Sequence, residues 1–316
     1  MAAKLESNQL ELHYFFSDAS HDIDAVVRNK CEAELLAIVY ESASIFDIDI
    51  NLTSLPPEDG GFRDVWKALG KNSAQINVLL VAVGVAVTIY FNYSPDDDER
   101  KKTLEELQIK ELKLRIKALE NAKPENTKDL SQALASKLSK SLKITKRRSN
   151  FYSQLQNYRK VSEISLAPRF SDSSLAVDEM KISRAEFNRF ILSTNKLKVA
   201  EDASALIEIV SPVLKDGNYR WKGIYMDKTI NFRLTDSKFR DSIFIDGLNF
   251  RAGTFIKCVL NIHRELDEIG EIKIKGYSVP TVIEIIDGTK VQKTLQGQAF
   301  LQAKTMRDNQ SDMFKE

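Results

Sequence analysis

The residues best suited to binding a charged ligand lie in a basic segment between Lys137 and Lys160. The chain has no aspartate or glutamate from Leu130 to Ser162, and aromatic side chains are interleaved with the positive charges. Such a segment can bind nucleic acid through its phosphates and bases or the anionic headgroups of a lipid surface. It can also be an ordinary solvated face. The candidate binding residues are Lys137, Lys140, Lys143, Lys146, Arg147, Arg148, Phe151 and Tyr152.

Residues that could perform catalysis are few. The chain has three histidines, His13, His21 and His263, and two cysteines far apart in sequence. Ser20, His21 and Asp22 are chain neighbours, whereas the members of a catalytic triad meet through the fold. No metal-ligand spacing and no glycine-rich phosphate loop is present. We therefore expect a non-enzymatic protein with no catalytic residue, no metal and no cofactor. An enzyme would need a pocket of convergent acids or His263.

The C-terminal tail carries the short motif Gln310-Ser311-Asp312-Met313-Phe314. It resembles the motif by which bacterial replication and repair proteins dock on the sliding clamp. The resemblance implies that Gln310 fills a small polar site and that Met313 and Phe314 enter a hydrophobic cleft. Ser311 departs from the preferred leucine. The alternative is a tail that folds back on its own domain.

The most apolar part of the chain is an uncharged window from Asn72 to Pro95. Residues 74–91 would span about 27 Å as a helix at roughly 1.5 Å per residue, close to the thickness of a bilayer core. We therefore expect residues 73–93 to form a membrane-spanning helix. A buried core helix or strand is the alternative, and the many valines would then favour a strand. The helix-packing residues would be Val81, Gly84 and Thr88.

Residues 1–72 predict a small α/β module in the order strand, helix, strand, helix. Residues 10–16 and 47–55 have the composition or alternation of strands. Residues 21–44 repeat apolar side chains at helical spacing, and residues 62–69 could form a second helix.

Residues 94–160 predict a helical connector that ends in the basic segment. Its first helix has apolar residues at the spacing of a coiled coil, over too few heptads for a long rod. These residues are Ile109, Leu112, Ile116 and Leu119.

Residues 161–305 predict a β-rich domain, an antiparallel sandwich or barrel, followed by a polar tail at residues 306–316. Short strand patterns are separated by Asp-Gly turn dipeptides. Residues 183–193 predict a helical insertion. The strand patterns cover residues 161–166, 206–214, 219–225, 230–234, 254–262, 271–286 and 291–303. The fold class predicted for the whole chain is α+β.

Several short stretches resemble a group of uncharacterised bacterial single-span proteins from mobile islands. The stretches are Ser20–Ala25, Asn29–Glu34, Gly60-Gly61-Phe62 with Trp66, Ser149–Tyr152 and Trp221-Lys222-Gly223. The first 90 residues are also similar in pattern to bacterial adaptor modules related to the TRADD N-terminal domain, which occur in immunity systems. The resemblance implies a role in anti-phage defence and assigns no chemistry to any residue.

These patterns lead us to expect a membrane-anchored assembly, effector or sensor protein. It would lie in the bacterial inner membrane with a single pass and a cytoplasmic C-terminal domain. Its expected partners are membrane lipid, further copies of the chain and a protein bound by the C-terminal domain or tail. The alternative is a soluble DNA-associated protein that uses the basic segment and the tail motif.

Overall fold

The computed structural model describes residues 8–18, 22–56, 62–90, 99–119, 127–169, 180–213, 215, 219–245 and 250–313. The chain divides into two units. The N-terminal unit contains Met1–Asn195 and Leu266–Glu271, and the barrel unit contains Lys196–Glu265 and Ile272–Glu316. The α+β class and a β-rich C-terminal domain are confirmed.

The N-terminal unit combines one antiparallel sheet with a layer of helices. Its strands pair in the order β2-β3-β1-β4-β5. A 3₁₀ helix, Arg184–Phe190, follows the last strand. The strands are β1 (Asn8–Phe16), β2 (Asn51–Ser54), β3 (Phe62–Leu69), β4 (Val161–Arg169) and β5 (Lys181–Ser183). The helices are α1 (Ala25–Ile45), α2 (Ser73–Thr88), α3 (Glu99–Ala118), α4 (Thr127–Leu138) and α5 (Leu142–Asn157).

The strand β3 corrects the helix that we expected at residues 62–69. It pairs with β1 and β2, so its backbone groups are satisfied on both sides. Asp64, Val65 and Trp66 are three consecutive buried residues. Such a run suits a strand that is covered on both faces, since successive side chains point to opposite faces. The first module is therefore strand, helix, strand, strand.

The apolar run forms α2, which lies in the core of the N-terminal unit. It packs against α1, α4 and the sheet, and Leu79, Leu80, Ala82 and Val83 have no exposed surface. The expected membrane span at residues 73–93 is corrected to this buried helix, the alternative that the sequence left open. Within the described residues, no helix combines the length and apolar character needed to cross a bilayer.

The structure also moves the domain boundary that the sequence predicts before residue 161. The strand β4 belongs to the N-terminal sheet, where it pairs antiparallel with β1 and brings Leu166 opposite Leu12. An alternating pattern specifies a strand but does not name the strand that it pairs with. Here the partner lies at the other end of the unit's sequence.

Five of the six described strands of the barrel unit close on themselves. The order is β11-β10-β8-β7-β6-β9, and β9 also pairs with β10. β8 and β10 run parallel, whereas β6 is antiparallel to both β7 and β9. The strands are β6 (Ala200–Ser211), β7 (Trp221–Tyr225), β8 (Lys228–Leu234), β9 (Thr254–Leu266), β10 (Ile272–Asp287) and β11 (Lys290–Lys293). The helices are α6 (Ser237–Ile245), between β8 and β9, and α7 (Leu295–Met313).

The barrel is filled by one apolar cluster. Trp221 and Phe232 lie opposite each other on β7 and β8, and both are buried. Ile207, Ile256 and Val279 come from three other strands and have no exposed surface. The interior is therefore packed, and a ligand would have to bind on the outer face or at the rim.

The helix α7 corrects the strand expected at residues 291–303. Only Lys290–Lys293 is a strand. The hydroxyl oxygen of Thr294 then accepts a hydrogen bond from the Gly297 amide at 3.0 Å, which is the contact of an N-cap. The sequence that follows is rich in leucine, glutamine and alanine, which favour a helix over a strand.

Candidate functional site

The basic segment falls mainly on α5, and most of its charges are used inside the N-terminal unit. Lys137 donates a hydrogen bond to Gln108, and Lys146 donates one to Asn195 at 2.9 Å. Burial lowers the pKa of Lys137. The ion pairs join Lys140 to Glu105 at 3.3 Å, Lys143 to Glu271 at 2.8 Å and Arg147 to Glu34 at 3.1 Å. These cations are already paired with groups of their own unit.

The aromatic residues of the segment are part of the core. Phe151 and Tyr152 have no exposed surface. The Tyr152 hydroxyl donates a hydrogen bond to the Val87 carbonyl at 3.0 Å, and burial raises the pKa of Tyr152 well above its usual value. The expectation that these rings stack on bases is corrected, because a ring without exposed surface cannot contact a ligand.

Arg148 is buried at the end of α2. Its guanidinium donates hydrogen bonds to the carbonyls of Ala86 at 2.7 Å and Ile89 at 3.4 Å. It also lies over the ring of Phe190, 5.6 Å from the ring centroid, which is within the limit of about 6 Å for a cation–π contact. Burial lowers the pKa of Arg148. Its role is to satisfy carbonyls that the last turn of α2 leaves without partners.

The expected helix-packing residues also act within the N-terminal unit. Thr88 donates its hydroxyl to the Gly84 carbonyl at 2.7 Å. A side chain at Gly84 would approach the Leu166 carbonyl of β4 at 3.4 Å. Val81 is only partly buried. The small residue at position 84 therefore allows α2 to lie close to its own sheet.

The tail motif lies mostly beyond what the structure describes. The backbone of α7 includes Gln310 and Met313, whereas Phe314 falls outside the described residues. The predicted docking on a sliding clamp stays a prediction. The Ser20-His21-Asp22 group cannot be placed either, because Ser20 and His21 fall outside the described residues.

The barrel unit carries a basic cleft on its outer face, which the sequence did not predict. It has a volume of about 220 Å³, and its lining residues come from four neighbouring strands or their ends. The sequence identifies only His263 of this group, as an isolated histidine. The cleft is lined by Arg220, Arg233, His263, Lys275, Gly276 and Tyr277.

Strand register brings these side chains together. Trp221 pairs with Phe232 at the end of the antiparallel ladder of β7 and β8, and Arg220 and Arg233 are the residues directly beyond that pair. Arg233 is in turn opposite Ser278 on the parallel strand β10. Ser278 and the His263 ring nitrogen Nε2 are 2.8 Å apart and share a hydrogen bond. One transverse row therefore crosses β7, β8, β10 and β9.

The cleft is exposed and positively charged. Arg220, Arg233 and His263 are exposed residues. Lys275 forms an ion pair with Glu265 while its side chain keeps 57% of its exposure. Tyr219, which directly precedes Arg220, is 52% exposed. Two guanidinium groups beside a lysine suit a phosphate or another oxyanion, because arginine offers paired N–H donors to such groups.

The barrel unit as a whole shares this charge. It has 19 lysines and arginines against 14 aspartates and glutamates, although the complete chain is nearly neutral. A larger groove of about 920 Å³ lies between α6 and the start of α7, but Asp241 and Asp287 line it beside Lys238 and Lys290. The groove therefore lacks the single sign of charge that distinguishes the cleft.

In the part of the chain that the structure describes, no three histidine, cysteine, aspartate or glutamate residues lie close enough together to hold a metal ion. The two cysteines, Cys31 and Cys258, are free and buried. Burial raises the pKa of each thiol to about 12. They behave as small core residues.

Comparison with known proteins found no match. No protein-family model fits the chain, and no curated protein and no solved structure shows significant similarity to it.

Proposed function

We propose that this protein binds single-stranded nucleic acid through the basic cleft of its barrel unit. The cleft offers Arg220, Arg233 and Lys275 to phosphates, and the exposed Tyr219 could stack on a base. This is the DNA-associated function that the sequence left as an alternative, moved from the basic segment to the barrel.

The connectivity of the barrel supports the proposal. A first strand, β6, pairs with both β7 and β9, a helix separates the third and fourth strands, and the third and fifth strands run parallel. This is the strand order of the oligonucleotide- and oligosaccharide-binding (OB) fold. In that fold the second and third strands form the ligand-binding face, and here they correspond to β7 and β8. The fold alone does not assign a ligand, so the proposal depends on the charges of the cleft.

The membrane-anchored function has less support. Its main argument was a helix exposed to lipid, and most apolar side chains of α2 are buried within the N-terminal unit. Its second argument was a free basic surface, and Lys140, Lys143, Arg147 and Arg148 of the basic segment are paired with neighbouring carboxylates or carbonyls.

The test is a comparison of two charge-reversed variants in a binding assay with a labelled 20-nucleotide single strand. Arg220→Glu combined with Arg233→Glu should weaken binding by about 100-fold, since a hydrogen bond to a charged group contributes about 1.5–3 kcal/mol. Lys290→Glu combined with Lys293→Glu makes the same charge change on β11. It should weaken binding by less than about 5-fold, by the general electrostatic term alone. No measurable binding by the natural chain, or equal losses in both variants, would reject the proposal.

A further inference from the structure

The positive charge on the outer face of β7 and β8 is concentrated at the end where the basic cleft lies. Outward side chains on a strand recur every second residue, about 6.7 Å apart. The first outward pair after the cleft is Lys222 opposite Asn231, and the second is Ile224 opposite Thr229. The cleft has two arginines, the first pair has one cation and the second pair has none. Because phosphates repeat along a strand, this face suits one position of a ligand better than a continuous row of its phosphates.

The two arginines of the cleft keep their donor groups available. Arg220 and Arg233 are exposed, and the residues that the structure describes give neither of them a hydrogen bond or an ion pair. Lys275 contributes a third positive charge, which its ion pair with Glu265 partly compensates. The arginines are therefore the groups of the cleft with the greatest unused capacity to bind an anion.

The cleft is small and has open space at Gly276. Its volume of about 220 Å³ is below the roughly 300–1,000 Å³ of pockets for drug-sized ligands. Gly276 lines the cleft without a side chain, and apart from its two chain neighbours no described residue has an atom within 4 Å of a carbon added there. A phosphate group can therefore approach the backbone of β10, whereas a longer stretch of ligand would lie outside the cleft.

We propose that the basic cleft binds the phosphorylated end of a nucleic-acid strand, a terminal phosphate monoester, in preference to a phosphate within the strand. This preference depends on the proposed function and specifies which part of the ligand the cleft takes. A phosphate monoester carries a charge of about −1.5 to −2 at pH 7 and three acceptor oxygens, whereas a phosphate within the strand carries one negative charge. Two guanidinium groups, each able to donate two parallel hydrogen bonds, match the additional charge and the additional oxygen.

The first experiment compares three single strands of 20 nucleotides and one sequence, each with the same internal label. One strand has hydroxyl groups at both ends, one has a 5′-phosphate and one has a 3′-phosphate, so the comparison also shows which end the cleft takes. At least one phosphorylated strand should bind about 10-fold more tightly than the hydroxyl-ended strand, the gain from one further hydrogen bond to a charged group. Equal affinities for all three strands would overturn the preference and leave the proposed function standing. No binding of any strand would reject both.

The second experiment uses glutamine variants to show whether the cleft produces the preference. Arg220→Gln with Arg233→Gln should reduce the ratio of the affinities for phosphorylated and hydroxyl-ended strands from about 10 to below about 3, because the paired donors are lost. Lys222→Gln is the matched control, since it removes the cation of the next outward pair on the same face. It should weaken all three complexes alike and leave the ratio near about 10. A ratio that survives in the arginine variant, or that falls equally in the Lys222→Gln variant, would overturn the preference assigned to the cleft.

Discussion

At the scale of single residues, position in the fold decides what a charged side chain does. Arg148 belongs to the basic segment in the sequence, yet its guanidinium is buried and bonds to carbonyls at the end of α2. Arg220 and Arg233 lie apart in the sequence, yet the pairing of β7 with β8 brings them to one cleft. A linear pattern of charge could not have separated these two cases, because the distinction depends on strand register and on helix packing.

Replacing Arg148 should destabilise the N-terminal unit. The change Arg148→Met keeps most of the aliphatic volume and leaves the carbonyls of Ala86 and Ile89 without their donor. We expect a loss of about 2–4 kcal/mol in the free energy of unfolding, because buried unpaired polar groups cost about 1–3 kcal/mol each. Urea unfolding followed by Trp66 fluorescence, in a background with Trp221→Phe, measures this unit alone.

The matched control for Arg148 is Lys146→Met on the same helix. Lys146 makes one hydrogen bond, to Asn195 at 2.9 Å, so its removal should cost less than about 1 kcal/mol. Equal losses from the two substitutions would contradict the role assigned to Arg148.

At the scale of elements, hydrophobic periodicity identifies a helix but not its surroundings. The apolar run of α2 predicts a buried helix equally well in lipid and in protein. The structure buries it against α4 and the sheet. On α3 the predicted coiled-coil residues Leu112 and Ile116 pack inside the unit. Leu104, Leu107 and Leu114 of the same helix stay exposed, which apolar spacing alone does not predict.

A glycine on β7 sets how closely the first two barrel strands approach. A side chain added at Gly223 would lie 2.5 Å from an Ile207 methyl carbon and 2.7 Å from the Glu208 carbonyl oxygen. We expect Gly223→Ala to destabilise the barrel unit by about 1–3 kcal/mol, the usual cost of overpacking. Trp221 fluorescence in a background with Trp66→Phe reports this unit.

Gly276→Ala on β10 provides the control for Gly223. Apart from Gly276 and its two chain neighbours, no described residue has an atom within 4 Å of the added carbon. The change should leave the stability equal or slightly raised, by up to about 1 kcal/mol. Equal stabilities of the Gly223→Ala and Gly276→Ala variants would contradict the close approach of β6 and β7.

At the scale of the whole molecule, the strands of the barrel were predictable and their closure was not. Turn dipeptides and alternating patterns located β6 to β10, although β6 begins six residues before its predicted start at residue 206 and β9 ends four residues after its predicted end at residue 262. The parallel pairing of β8 with β10 joins segments separated by a helix and a strand, and no local signal specifies it. The sequence predicts β4 in the C-terminal domain, whereas it pairs with β1 in the N-terminal sheet. The cause is the same, because this partner is also distant in sequence.

The two units each contain one buried thiol, and these thiols report their opening. Because burial raises the pKa of Cys31 and of Cys258 to about 12, both should react with iodoacetamide about 1000-fold more slowly than a free thiol at pH 8. In urea, labelling of Cys31 follows the N-terminal unit and labelling of Cys258 follows the barrel unit. Mass spectrometry of the peptides separates them. Rapid labelling without denaturant would contradict the buried positions.

The same thiols determine whether the free energy of unfolding rises or falls with pH. An unfolded thiol has a pKa near 9, whereas the folded groups keep their protons to about 12. The stabilising contribution is therefore fully present below about pH 9 and is lost as the pH rises toward 12. Between pH 7 and about pH 9, these thiols should leave the free energy of unfolding unchanged. Between about pH 9 and 10.5, they should lower it.

The most direct test of the central claim is the dependence of single-strand affinity on salt concentration. If Arg220 and Arg233 contact phosphates, Arg220→Gln with Arg233→Gln should reduce the slope of log K against log salt by about 1.4, since each contact on a single strand contributes about 0.7. Lys290→Gln with Lys293→Gln should leave the slope of the natural chain unchanged. An equal slope for the natural chain and the arginine variant would contradict nucleic-acid binding at the cleft.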